Sequence, residues 1–174
     1  IKREKFMKTS NKTKITNLVY AAVCLALCLV LPFLTGQIPQ VGNALCPMHI
    51  PVLLAGFLCG PWWALAVGLV APLLRHTLFL MPPLMTAIAM SFELAAYGLI
   101  SGLMYRKLPK TTGNIYVSLL TAMAGGRVIW GIARLALTGV TGKPFTFAMF
   151  LAGAFTSAIP GIIVHILLIP VLVM

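Results

Sequence analysis

HIPVLLAGFLCGPWWALAVGLVAPLLRHTLFL, residues His49 to Leu80, is the stretch that decides the topology of this chain. Ile50 to Cys59 falls well short of the ~20 apolar residues of an ordinary bilayer-spanning helix, and Gly60-Pro61 cuts it off. Trp62 to Leu80 is long enough by itself. If the whole stretch were one span, the basic loop Tyr105 to Asn114 would lie opposite the basic amino terminus, against the positive-inside rule. If it is two spans, both termini and that loop share the cytoplasmic side. Parity therefore selects two, the first of them short and tolerable where its ends are buried in protein.

The rest of the chain divides in the same way. It has 174 residues, 60% apolar and 9% charged, with a mean hydropathy of +1.03. Soluble domains average about 45–50% apolar and about 25% charged residues, so a membrane domain is expected. The first span is read from Leu18 to Leu34, followed by a polar, uncharged stretch from Thr35 to His49. Later spans are Leu84 to Met104, Ile115 to Leu137 and the long run Phe145 to Met174, interrupted by Pro160 and Pro170. The fold class is thus an all-α integral membrane protein with six transmembrane helices and both termini cytoplasmic. Residues 1–14 form a basic cytoplasmic segment and 15–174 the membrane domain. The residues ahead of Met7 read as an added leader, so nothing specific rests on them. The first apolar run lacks a small-residue cleavage site and is expected to be retained.

Thirteen Lys and Arg against two acids give a net charge of +11. In a soluble protein that balance would suggest nucleic acid, but position argues otherwise. Lys2, Arg3, Lys5, Lys8, Lys12 and Lys14 precede the first span, and Arg106, Lys107 and Lys110 share one loop. This is a topology signal, and no nucleic-acid partner is expected. The cysteines Cys24, Cys28, Cys46 and Cys59 make no disulfide framework. Cys46-Pro47-Met48-His49 faintly resembles a metal pair but has no second pair at ligand spacing, so neither a metal nor a cofactor is expected.

Charges inside hydrocarbon cost at least about 2.5–3.5 kcal/mol and face a bundle interior or a wet cavity. Arg75, Glu93, Arg127 and Arg134 stand out. Arg127, Trp130 and Arg134 share one helical face, and Glu93 and Tyr97 share another. One reading makes Glu93 a structural partner of either Arg75 or Arg127. It leaves cations over, and the surplus points to a bound carboxylate or phosphate, which arginine grips bidentately. His76 and His165 read as satisfied core or interface histidines. Enzymatic alternatives lack their parts: there is no Gly-x-Ser-x-Gly, no His-Glu-x-x-His, no aspartate and no Walker A lysine.

The chain resembles the substrate-binding S components of energy-coupling factor (ECF) transporters, the vitamin importers of bacteria and some archaea. The resemblance runs from about Asn11 to the end and rests on the small size, the six spans, Ala22-x-x-x-Ala26 in the first, and His49-Ile50-Pro51-Val52-Leu53-Leu54-Ala55-Gly56-Phe57-Leu58-Cys59-Gly60-Pro61. It implies a multi-pass subunit of the plasma membrane that captures a vitamin outside, in the outer halves of the later helices, under a lid formed here by Gly36 to His49. It also implies partners: a transmembrane scaffold (T component) docking on Ala22 and Ala26, and two ATPase subunits that handle ATP. The substrate-binding set is then Arg75, Glu93, Tyr97, Arg127, Trp130 and Arg134, with Gln40 and Asn43 from the lid. The arginines favour an anionic vitamin, pantothenate first, with lipoate and niacin sharing its carboxylate. Pyridoxine or a thiamin (pyrimidine) precursor would rely instead on Trp130, Tyr97 and the amides of Gln37, Gln40 and Asn43. Riboflavin, a further alternative, has against it that Met48-His49-Ile50-Pro51 stands where the riboflavin members carry an Asp-containing motif. A small multi-span enzyme and a solitary transporter remain the competing classes.

Overall fold

In a computed structural model, residues 2–34, 38, 44–142, 144–154 and 156–174 are described, the side chains of 2–12, 140, 141 and 157 excepted. The chain is a helical bundle. α1 runs Lys2–Leu34, α2 His49–Leu58, α3 Pro61–Phe79, α4 Leu84–Lys107 and α5 Thr112–Thr141. α6, Phe147–Ala154, is followed by a 3-10 turn, Thr156–Ala158, and then α7, Ile159–Val173. No strand occurs among the described residues.

The disputed stretch is two helices, as parity requires. Gly60 caps α3 at φ 91°, a conformation L side chains rarely adopt, and Pro61 occupies the first turn, where its missing N–H costs nothing. The apolar run at the carboxyl end differs in detail from one continuous span. Pro160 opens a new helix after the 3-10 turn, so α6 and α7 together form the last crossing. α1 in turn continues without a break past residue 14 into the basic segment.

α4 is the central helix, and small residues seat its neighbours on it. A Cβ on Gly98 would lie 2.6 Å from the Ala64 carbonyl oxygen of α3, and one on Gly102 would lie 2.6 Å from the Pro61 nitrogen. Gly56 of α2 meets Ser101 and the Gly98 carbonyl, and Gly68 of α3 meets the Leu94 backbone. In lipid no hydrophobic force drives helices together, so close backbone approach supplies the packing. Gly98→Val is accordingly expected to destabilise the bundle by about 1–3 kcal/mol through overpacking. An unchanged unfolding midpoint in detergent would show that α3 and α4 are not in backbone contact.

Buried Ser91, Ser101 and Ser118 hydroxyls donate to the Ala87, Gly98 and Asn114 carbonyls of their own helices at 2.9, 3.2 and 2.7 Å. They are satisfied within the core. Leu53, Leu94, Tyr97, Leu119 and Ile169 fill the interior, while Trp62, Leu135 and Val171 point outward from an apolar surface. At one end of the bundle Gly60 lies beside the Arg106 guanidinium, and Thr112 reaches Met174. At the other end α7 begins against residues 44 and 45, where a Cβ on Gly161 would be 2.7 Å from the Ala44 oxygen. The basic loop 105–114 therefore lies at the opposite end from the turn that launches α2.

Candidate functional site

The turn before α2 sets the first part of the site. Cys46 takes a left-handed φ of 47°, and its carbonyl accepts the His49 N–H at 3.0 Å. The Cys28 thiol of α1 donates to the Met48 carbonyl at 3.6 Å. This turn delivers His49 to the start of α2, inside the bundle, although the polar stretch leading to it belongs to the sequence's expected lid. Gln37, Gln40, Asn43 and Gly36, assigned to that lid, lie outside the described residues.

His49 Nε2 stands 3.3 Å from Glu93 Oε1 of α4, and Arg127 of α5 approaches the same oxygen at 2.9 Å. Glu93 is 1% exposed and Arg127 8%, so the pair is sealed in the interior. That decides which arginine Glu93 neutralises. Tyr97, one turn along α4, hydrogen-bonds Glu93, its ring lying edge-on to His49 at 5.0 Å. Gly126 passes over the Tyr97 ring, where a Cβ would come within 2.9 Å. The absent side chain is what lets α5 close on the phenol. Arg127 also reaches the Cys46 sulfur at 3.7 Å, tying α5 to the turn before α2.

His165 completes the cluster from α7. Gly161, His165 and Ile169 repeat at four-residue spacing and form the buried face of that helix. The His165 ring stacks on His49 with centroids 5.9 Å apart and hydrogen-bonds the backbone of Cys46. It is therefore not the fully satisfied core histidine expected from the sequence. His165 Nε2, both His49 nitrogens, Arg127 Nε and Glu93 Oε1 are buried without a hydrogen-bond partner, the contacts of His49 and Arg127 with Glu93 being ionic proximities. Orphaned buried polar atoms each cost about 1–3 kcal/mol, and their convergence in one place is characteristic of a site built to receive something. Among the described residues no three metal-ligating side chains converge.

A second group adjoins the first along α5. Trp130, one turn beyond Arg127, meets Phe145 edge-on at 5.9 Å and stacks on Phe150 at 6.3 Å. Glycines make this possible in both directions: Gly153 of α6 faces the Trp130 ring, and Gly131 of α5 faces Phe150. The Arg134 guanidinium lies over both Trp130 and Phe145, 5.8 Å from each centroid. The chain's other acid, Glu4, is in the amino-terminal segment, so Glu93 is the only membrane-embedded carboxylate and it is matched by Arg127. Arg134 is a surplus cation framed by aromatic rings.

The structure thus brings Glu93, Tyr97 and Arg127 together and sets Trp130 and Arg134 beside them on one helix face. Arg75 is placed elsewhere. Its guanidinium donates to the Leu29 carbonyl of α1 at 2.5 Å and lies over Phe33 and Phe79 at 5.0 and 5.3 Å. Those rings meet edge-on at 5.0 Å. The buried charge is stabilised by a carbonyl and two π-faces, and it bolts α1 to α3. His76 is likewise satisfied, with Nδ1 2.8 Å from the Pro82 oxygen.

His49, His165, Phe145 and Phe150 are the site residues that the sequence reading left out of the substrate-binding set, His165 because it read as a satisfied core histidine. For His49 the available signal was a lone histidine at the mouth of a short apolar helix, together with a Glu93 carboxylate that has room for a second partner. For the phenylalanines no signal separates them from lipid-facing residues of the same run.

Against known proteins, the family model described as ECF transporter, substrate-specific component, matches residues 16–173. No curated protein and no solved structure matches.

Proposed function

The chain belongs to the substrate-specific components of ECF transporters, and we propose that within this family it captures a small vitamin bearing a carboxylate, pantothenate being the first candidate. Membership makes it a multi-pass subunit of the plasma membrane and a transport protein rather than an enzyme. In the proposed cycle it binds the vitamin from outside and delivers it through a scaffold subunit and two ATPases. The inward placement of both termini and of the loop 105–114 is supported by the cations at that end of the bundle. The binding cluster then sits in the outer half, on the side of the turn before α2.

One observation carries the substrate class: Arg134, unmatched by any buried acid, lies over Trp130 and Phe145 on the same face of α5 as Arg127. A guanidinium in that setting offers a carboxylate two parallel N–H donors, and the rings exclude water around the contact. Arg127 is less suited to the same task, because a second anion there would be repelled by Glu93.

Loss of a charge-assisted hydrogen bond costs about 1.5–3 kcal/mol, roughly tenfold to a hundredfold in affinity. Arg134→Gln is expected to weaken pantothenate binding by that factor in titration calorimetry of the detergent-solubilised protein. The amide analogue of pantothenate is expected to bind the wild type poorly and to lose little more in the variant. Equal pantothenate affinity in wild type and variant would remove Arg134 from the site and the carboxylate from the substrate class.

A further inference from the structure

We infer that the stacked His49–His165 pair is a recognition site for an uncharged group carrying a hydrogen-bond donor, at the end of the substrate remote from its carboxylate. The inference rests on the vitamin-binding reading above and specifies the other half of that ligand.

The charge balance comes first. Glu93 and Arg127 are in direct contact at 2.9 Å and neutralise one another. A ligand anion placed beside them would face the Glu93 carboxylate, and a ligand cation would face the Arg127 guanidinium, both without intervening water. The deep cluster therefore suits a neutral group, which leaves the anionic end for Arg134.

The hydrogen-bond polarity follows from what each imidazole already does. His49 Nε2 faces the Glu93 carboxylate at 3.3 Å. Neither His49 nitrogen has a hydrogen-bond partner, so both ring positions are open to a ligand, and an imidazole can donate as well as accept. In His165 the hydrogen bond to the Cys46 backbone involves Nδ1, because Nε2 has no partner. A ring nitrogen facing a backbone carbonyl donates, so His165 Nε2 is a bare acceptor. Three ring nitrogens, in two side chains each 2% exposed, are thus without partners, and His165 Nε2 among them calls for a donor. Hydroxyl or N–H groups fit it; a carboxylate, a thioether or a bare aromatic edge does not. A site built around unpaired polar groups discriminates strongly, because a ligand lacking the matching group leaves them unsatisfied.

The test uses a panel of pantothenate, lipoate, nicotinate, pyridoxine and riboflavin, titrated against wild type and His165→Phe. Pantothenate carries hydroxyl and amide N–H donors besides its carboxylate, whereas lipoate and nicotinate are carboxylates without further donors. Expected is wild-type binding of pantothenate at least about tenfold tighter than of lipoate or nicotinate, and a loss of about tenfold to a hundredfold in His165→Phe. Lipoate or nicotinate binding as tightly as pantothenate overturns the inference while the vitamin-binding reading survives. Unchanged affinity in a folded His165→Phe does the same. Pyridoxine or riboflavin binding, lost in the variant, supports the histidine site and overturns the carboxylate assignment. Binding of none of the panel overturns both. Should His165→Phe fail to fold, judged by gel filtration of the unliganded protein, the wild-type ranking alone decides.

Discussion

Arg127→Met is expected to destabilise the protein by about 3–5 kcal/mol, because it strips a buried carboxylate of its counter-ion. Glu93 is sealed in the core and its Oε1 faces Arg127 at 2.9 Å and His49 at 3.3 Å. Without the guanidinium the carboxylate keeps only the histidine and Tyr97, neither a fixed positive charge. The paired substitution Glu93→Gln with Arg127→Met removes both charges and is expected to recover most of the loss. A buried ion pair contributes little net stability compared with neutral groups of similar volume, whereas a broken one is strongly unfavourable. Unfolding of both variants in lipid nanodiscs reads the difference. If Arg127→Met unfolds like wild type, Glu93 is not held as an ion inside the bundle. If the double variant is no better than the single, the loss comes from the Cys46 contact or from packing and not from charge.

The second large effect concerns α1. Ala21, Cys24 and Cys28 form its buried face, while Ala22 and Ala26 are exposed on the side away from the bundle. A pair of small residues four apart on a membrane-facing surface lets a partner helix approach backbone to backbone, which is where association in lipid draws its packing energy. We propose this surface as the docking face for the scaffold subunit. Ala26→Trp is expected to abolish vitamin uptake by cells expressing the whole transporter, and to prevent co-purification with the scaffold. Vitamin affinity of the isolated subunit is expected to stay at the wild-type value, since residue 26 touches neither the Glu93 cluster nor the Arg134 frame. A matching drop in vitamin affinity would assign Ala26 to the bundle's own packing. Retained uptake would place docking on another helix.

The two predictions differ in what made them visible. Ala22 and Ala26 were legible as a pair in the sequence, since their spacing alone puts them on one helical face; that this face is the outward one was decided by how α1 packs. The partner of Glu93 was open between Arg75 and Arg127, and spacing had nothing to say on it. The choice depends on the rotation of α3 and α5 about their own axes. Gly68 and Gly126 set those rotations by allowing backbone against the Leu94 carbonyl and the Tyr97 ring. The same packing turns Arg75 toward the Leu29 carbonyl and the rings of Phe33 and Phe79, so that a residue expected at the substrate serves to hold α1 and α3 together.

What the sequence determined by itself was every property that a bilayer reads locally. Apolar length, the Gly60-Pro61 break and the placement of cations each act on a short window of chain, because lipid and water sort those windows by composition wherever their neighbours lie. Helix number, the shortness of the second span and the family resemblance followed. Only the tertiary structure decided the convergence of His49, Glu93, Tyr97, Arg127 and His165, drawn from four helices, and the meeting of Trp130 and Arg134 with Phe145 and Phe150. These contacts join residues distant along the chain, and each depends on the depth and rotation of a whole helix. In lipid those two quantities are set by close packing between specific small and large side chains rather than by hydropathy, so no window of sequence contains them.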